Sequence, residues 1–378
     1  MKITDLKLRL IEQPITSGFR PNWGRGINMR TLPVTLVEIS TDEGVKGYSG
    51  GPTTGEELLA GVKAFVKPSL IGADPFNVEY ISDVLSNSAL RMGWPWFIEA
   101  AVWDIIGKKT NQPVYKLLGG SKDKLRIYSS TGETRSAEQR LEDMERLLEE
   151  GFSAIKLRFK PSSCDELLKT IKLLRQVHGK KIEIMVDANQ ADKMPGAEAM
   201  EYWGLHDSMR LVEKLAEYDV AWLEEPLPRH DYEGLRKLTQ SSPIPIAGGE
   251  KNMGLREFRD LLDYDCYDIL QPDSMFSGSI SQVKKIAAMA EAYNKRVIPH
   301  TWSTGFGLFA NLHICAGIIN CDWFEYPYDP PSWTHELNFE LFREPLEIKD
   351  GYVLVPQKPG LGYELDWEKV EKYTVKCE

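Results

Sequence analysis

Three acidic residues stand at the ends of three consecutive apolar runs: Asp187 in IEIMVDAN, Glu224 in AWLEEP and Glu250 in IPIAGGE. Each run has the length and composition of a buried parallel strand, and a helix-like stretch follows each. One acid at a strand end is ordinarily a solvated loop carboxylate. Three on consecutive strands repel one another unless a cation lies between them. No cysteine is near and no histidine shares their runs, so the donors are all oxygen, which selects Mg2+, or Mn2+, over zinc. Strand alternation sends Glu224 and its neighbour Glu225 different ways, so one of the two is expected at the metal.

Further acid–base groups end the neighbouring runs. Asp273 (QPDSM) and His300 (VIPHT) close adjacent strands, and a carboxylate on one ring nitrogen would fix the tautomer of His300 and make it more basic. Lys156 and Arg158, two apart in AIKLRF, would share one strand face. Two cations inside a core are costly unless they meet anions, such as the three acids or a substrate carboxylate. Lysine can give up its proton when desolvated; arginine does not readily do so. Glu325, in DWFEY, is a candidate hydrogen-bonding acid. Together these groups suit removal of the weakly acidic proton beside a carboxylate, with the enediolate stabilised by the metal.

The elements that must position them repeat regularly. Strands are expected at LRIYSST, AIKLRF, EIMVDAN, AWLEEP, IPIAGGE, YDILQPD, RVIPH and DWFEY, with helical patterns such as SAEQRLEDMERLLEE between them. The residues Lys156, Asp187, Glu224, Glu250, Asp273, His300 and Glu325 lie 23 to 37 residues apart, the size of one βα unit. Eight such strands with right-handed crossovers close into a barrel whose active site lies at the C-terminal strand ends. An open doubly wound sheet would call for a glycine-rich phosphate loop after the first strand, and none is present. The longest interval, after Asp187, contains DKMPGAEAMEYWGLHDS and reads as an enlarged loop over the mouth.

Residues 1–122 read as α+β, with strands at KITDLKLRLIE, TLPVTLVEIST and GVKGYSGG and a hairpin turn at TDEG. Between the first two strands lies ITSGFRPNWGRGINMR, a long segment without periodicity, which is usually mobile or functional. The barrel is expected over 123–345. The tail 346–378 reads as hairpin-like, folding back toward the N-terminal part.

The 378 residues carry 42% hydrophobic and 27% charged side chains with a net charge of -10, which argues against nucleic acid or an anionic membrane as partner. Five scattered cysteines without a CxxC pair suit reduced thiols in the cytoplasm. Met1 leads straight into a strand-like run, so no signal peptide is expected, and no apolar run reaches membrane-spanning length.

The motifs KLR (Lys156, Arg158), VDAN (Asp187, Asn189), WLEEPL (Glu224), GGE (Glu250), QPDSM, IPHT and WFEYP together resemble the mandelate racemase subgroup of the enolase superfamily, over nearly the whole chain. That resemblance implies an α/β fold with a (β/α)7β barrel and an N-terminal α+β cap completed by the C-terminal segment. It implies one Mg2+ per subunit on Asp187, Glu224 and Glu250, a dyad of Asp273 and His300, and a hydrogen bond from Glu325 to the enolic intermediate. It also puts the Arg20 to Arg30 stretch over the site, with Arg20 and Trp23 as substrate contacts beside Asn189, along with the loop near Trp94 and Trp96. Self-association is implied as well. One residue departs from the pattern: Arg158 stands where a second lysine base is common. Racemisation needs two exchanging bases and dehydration one, so the expected activity is dehydration of an aldonate or aldarate to a 2-keto-3-deoxy acid. A racemase, epimerase or cycloisomerase working through the same enediolate is the alternative.

Overall fold

The computed structural model describes residues 1–192, 194–197 and 203–378. Its first sheet is antiparallel. β1 (Ile3–Phe19), β2 (Met29–Thr41) and β3 (Lys46–Gly51) lie in sequence order, and the last strand of the chain pairs with β1 at the free edge. The TDEG segment turns as expected, with Gly44 at φ 77° donating to the Thr41 carbonyl at 3.1 Å. Only the two ends of the segment read as aperiodic are strand: β1 runs to Phe19 and β2 begins at Met29. Alternating burial along β1 gives its apolar residues a face to cover, which sustains the strand past the polar positions. Only residues 20–28 remain as connecting loop.

The second sheet contains the eight expected strands: β4 (Lys124–Ser130), β5 (Ala154–Arg158), β6 (Glu183–Asp187), β7 (Leu223–Glu224), β8 (Ile246–Gly248), β9 (Ile269–Leu270), β10 (Arg296–Val297) and β11 (Trp323–Pro327). Each of β4 to β9 pairs in parallel with the next, and β11 pairs in parallel with β4. At the remaining seam the Val297 N–H donates to the Asn320 carbonyl at 2.9 Å, just ahead of β11. Helices follow the strands on the outside, and their apolar faces merge with the outer strand faces in one core.

The barrel interior is layered. Tyr128, Ala154, Met185, Trp222, Ala247, Ile269, Ile298 and Trp323, one on or beside each strand, form a separate apolar cluster. Two residues further along the same strands come Ser130, Lys156, Asp187, Glu224, Gly249, Gln271, His300 and Glu325. With a side-chain period of two, the polar set stacks directly on the apolar floor. This is what carries the charged groups to the mouth.

Glu99, on the helix Phe97–Thr110, fastens the first sheet's layer to the barrel. Fully buried, it accepts the Ser279 hydroxyl and the Ser281 N–H, each at 2.9 Å, at the start of the helix Ile280–Ala292. The tail divides its attachments. β12 (Ile348–Lys349) and β13 (Tyr352–Leu354) form a hairpin that extends the barrel sheet antiparallel to β4, and β14 (Thr374–Cys377) joins β1. No described helix is long and apolar enough to cross a membrane.

Candidate active site

Strand register sets the charged groups side by side. Arg158 is opposite Asp187 on β5 and β6, and Asp187 is opposite Glu224 on β6 and β7. All three are buried, as are Lys156, Glu225, Glu250, Asp273, His300 and Glu325. Six carboxylates therefore share a water-poor space with three fixed cations, counting Lys251 beside Glu250.

Every one of these acids except Glu225 finds a cationic or imidazole partner. Lys156 Nζ lies 2.6 Å from Glu224 Oε1 and 2.6 Å from Glu325 Oε1, with Asp187 Oδ2 at 3.8 Å. Burial pulls the lysine pKa down, but Glu224 and Glu325 outweigh it, so the ammonium stays protonated. Glu325 also accepts the Ser130 hydroxyl and the Thr301 N–H, each at 2.7 Å; burial opposes its charge, yet Lys156 and His300 hold it down at about 2. Glu224 shares its lysine and accepts Gln271 Nε2 at 2.8 Å, and burial pushes it up to about 7.

Arg158 is held on several sides. Its Nε donates to the Thr131 carbonyl at 2.7 Å, and Nη1 donates to Asp187 and, at 3.0 Å, to Asn189 Oδ1. The guanidinium stacks on Trp23, 4.7 Å from the ring centroid, and faces Trp302 at 5.6 Å. Burial lowers its pKa and Asp187 more than restores it, so Arg158 is a permanent cation.

Asp273 and His300 form the expected dyad: Nδ1 donates to Asp273 Oδ2 at 2.8 Å. The other carboxylate oxygen accepts the Met275 N–H at 2.8 Å and Asn311 Nδ2 at 3.0 Å, and the same amide reaches the His300 carbonyl. Asn311, from the helix Gly305–Gly317, thus locks the dyad from behind. Its position gives no sequence signal, because it lies inside an otherwise apolar helix. His300 Nε2 faces Glu250 Oε2 at 3.0 Å, a contact that requires a proton between them. Burial lowers the imidazole pKa, but Glu250 and Glu325 with Asp273 raise it overall.

The strand-alternation expectation for Glu224 and Glu225 is met for Glu224, which enters the lumen. Glu225 reaches the site by another route. The strand ends there in a left-handed residue (φ 46°), and its side chain lines the cavity with Oε1 lacking any hydrogen-bond partner. Burial, then Glu250 and Asp187, push its pKa well up. Lys251, 2.6 Å from Glu250 Oε1, is a further site residue whose only sequence signal is its place after GGE.

Asp187, Glu224 and Glu250 are thus separately engaged, by Arg158, Lys156, and Lys251 with His300. Among the described residues no three acidic, histidine or cysteine side chains stand gathered as a ligand set. The chemistry of the donors nevertheless fits a hard divalent cation: they are all oxygen, negative charge is in excess, and a buried carboxylate oxygen beside them is unpaired.

The cavity above these groups measures about 280 Å3 and is lined by Trp23, Trp94, Arg158, Asn189, His300 and Trp302 among others. Trp23 and Asn189, expected as substrate contacts, thus line this cavity. Arg20 does not: it is exposed and lines a neighbouring cavity with Asn22 and Lys160. The loop expected over the mouth contributes Asp192, Met194 and Pro195 to the lining, whereas Lys193 and residues 198–202 lie outside the described residues.

Comparison with known proteins agrees with this geometry. The family described as mandelate racemase / muconate lactonizing enzyme, N-terminal domain, matches residues 23–119, and the enolase C-terminal domain-like family matches 139–370. The chain is 29% identical to arabinonate dehydratase of Saccharolobus solfataricus over 93% of both chains. It is also 29% identical to D-galactarolactone cycloisomerase of Agrobacterium fabrum over 99% of both. A solved mandelate racemase-like protein from Bordetella bronchiseptica RB50, complexed with 2-oxoglutarate/phosphate, superposes with a TM-score of 0.88 at 31% identity, covering 100% of this chain and 99% of the other. With both halves matched and the polar layer in place, the chain belongs to the mandelate racemase/muconate lactonizing enzyme family of the enolase superfamily.

Proposed function

We propose that this enzyme removes the proton α to the carboxylate of an acid sugar, an aldonate or aldarate, and eliminates the β-hydroxyl to give a 2-keto-3-deoxy acid. The observation that carries the reading is the asymmetry of the two candidate bases. His300 is oriented by Asp273, and its other ring nitrogen lies at the cavity wall against Glu250, which binding of a metal ion would draw away. Arg158 is fixed on Asp187, Thr131 and Asn189 and keeps its proton. One competent base suffices for elimination, and racemisation needs two.

Asp187, Glu224 and Glu250 would hold one Mg2+ ion, with Mn2+ as a substitute. Bound there, the ion supplies positive charge against the enediolate. Lys156, already poised between Glu224 and Glu325, orients the substrate carboxylate. His300 Nε2 takes the C2 proton and then returns one to the departing hydroxyl. Glu325 hydrogen-bonds the enolic oxygen, which is why its place beside Lys156 matters. Trp302 and Trp23 exclude water above Arg158, and Asn189 presents an amide to the substrate.

The 29% identity to an arabinonate dehydratase supports this reading. A second reading, cycloisomerisation through the same enediolate, is favoured by the match of equal identity and greater length to a galactarolactone cycloisomerase. A cytoplasmic setting and association between copies of the chain belong to the same proposal. Proton NMR in D2O with Mg2+, against a panel of aldonic and aldaric acids, tests it. Loss of the C2 proton with new deoxy C3 signals is the expected result. Loss of that proton with no deoxy product would overturn dehydration in favour of racemisation or epimerisation.

A further inference from the structure

Two sides of the cavity are aromatic. On one side Trp23 packs edge-on against Trp302, with ring centroids 4.9 Å apart, above Arg158. On the other, Trp94 meets Phe276 edge-on at 5.3 Å, and Phe276 lies 6.0 Å from the His300 ring. Trp96 Nε1 pins the Phe276 carbonyl at 3.1 Å, so this wall is fixed from the first sheet's layer. Neither the Trp23 nor the Trp94 indole N–H meets an acceptor among the described residues.

Both cations of the described lining, Arg158 and Lys251, already have carboxylate partners, which leaves no free counter-ion there for a second charged end. Asn189 Oδ1 accepts from Arg158 at 3.0 Å and from Asn22 at 3.4 Å, Asp192 pairs with Arg229 at 2.8 Å, and Lys251 sits on Glu250. The charge balance points the same way. Among the described residues six buried carboxyl groups face three fixed cations, an acidic excess that disfavours a second substrate carboxylate. A second carboxylate pushed against tryptophan faces would be desolvated without a counter-ion among the described residues.

Resting on the acid-sugar reading above, we propose that the substrate is a monocarboxylate with an uncharged, apolar far end, a terminal-deoxy or short aldonate and not an aldarate. Trp94 and Trp23 are the residues that select it. Their faces take the terminal methyl and C–H groups, and their N–H edges donate to the hydroxyls between.

The test uses acids matched at C2 to C5 that differ only at the far carbon: methyl, hydroxymethyl or carboxylate. Such triads in the galacto, gluco and manno configurations are followed by loss of the C2 proton with saturating Mg2+. The expected order of kcat/KM is methyl, then hydroxymethyl, then carboxylate, with about tenfold or more between the extremes, roughly the value of one well-placed contact. Trp94→Leu and Trp23→Leu compress that spread, chiefly through KM, and Trp94→Phe restores most of it. An aldarate turned over as fast as its terminal-deoxy counterpart overturns the proposal while leaving acid-sugar chemistry intact. So does a spread unmoved by both leucine variants. Failure of every triad member to lose its C2 proton, alongside exchange of an arylglycolate, overturns the acid-sugar reading and this inference with it.

Discussion

The Arg158 guanidinium lies 4.7 Å from the ring centroid of Trp23 while donating a hydrogen bond to Asp187. One side chain of the barrel thereby touches both the loop between the first two strands and a proposed metal ligand. Arg158→Met would leave Asp187 buried without its counter-ion, a loss of about 3–5 kcal/mol for a broken buried pair. Chemical denaturation without metal should show a loss of that size, and added Mg2+ should recover much of it. Arg158→Lys, which restores a titratable group, should add C2 epimerisation detectable by NMR. Its complete absence would speak against the one-base argument.

Removing the base has a simpler readout. His300→Asn should slow C2-proton loss by about 100- to 10,000-fold, the usual worth of a positioned general base. Asn311→Leu keeps His300 but frees Asp273 from its amide. It is expected to slow the same step by about tenfold, the effect of roughly one charge-assisted hydrogen bond, and to shift the pH profile of kcat. A change in KM alone would assign Asn311 a merely structural part.

Glu250→Gln tests the metal site without turnover. The loss in Mn2+ affinity, measured by calorimetry, should exceed the roughly 10- to 100-fold typical of an outer partner. Glu225→Gln, beside it, should retain the ion within that range. Reversal of the two results would make Glu225 the ligand.

Stability should fall in mild acid through His313. Burial lowers its pKa to about 4, and Nδ1 accepts the Tyr115 N–H while Nε2 donates to the Leu361 carbonyl. A histidine whose folded pKa is depressed contributes stability that is present above about pH 6.5 and is lost as the pH falls toward 4. The shift corresponds to at most about 3 kcal/mol. Denaturation curves at pH 7.5 and 4.5 should therefore diverge more for the native protein than for His313→Gln.

Much of this was readable from the chain because the lumen has a period of two. Trp222 and Glu224, Met185 and Asp187, Trp323 and Glu325 each pair a floor residue with the polar one above it, and the strand pattern exposes both. Asn311, Lys251 and the cavity role of Glu225 escaped that logic. Asn311 comes from a helix, Lys251 follows a strand end, and Glu225 turns inward through a backbone conformation that alternation does not describe. Arg20 shows the converse: its loop reaches the site, but its side chain turns to a neighbouring cavity.

The pairing of Arg9 with Cys377 joins nearly opposite ends of the polypeptide. During synthesis the opening strands emerge long before β14 exists, so the edge of β1 stays uncovered until β14 itself has been made. Contacts this distant in sequence form slowly, and a waiting strand edge is open to wrong partners. The sheet that carries the Trp23 loop therefore gains its last strand only after every barrel strand has been synthesised, which makes covering that edge a late step in folding.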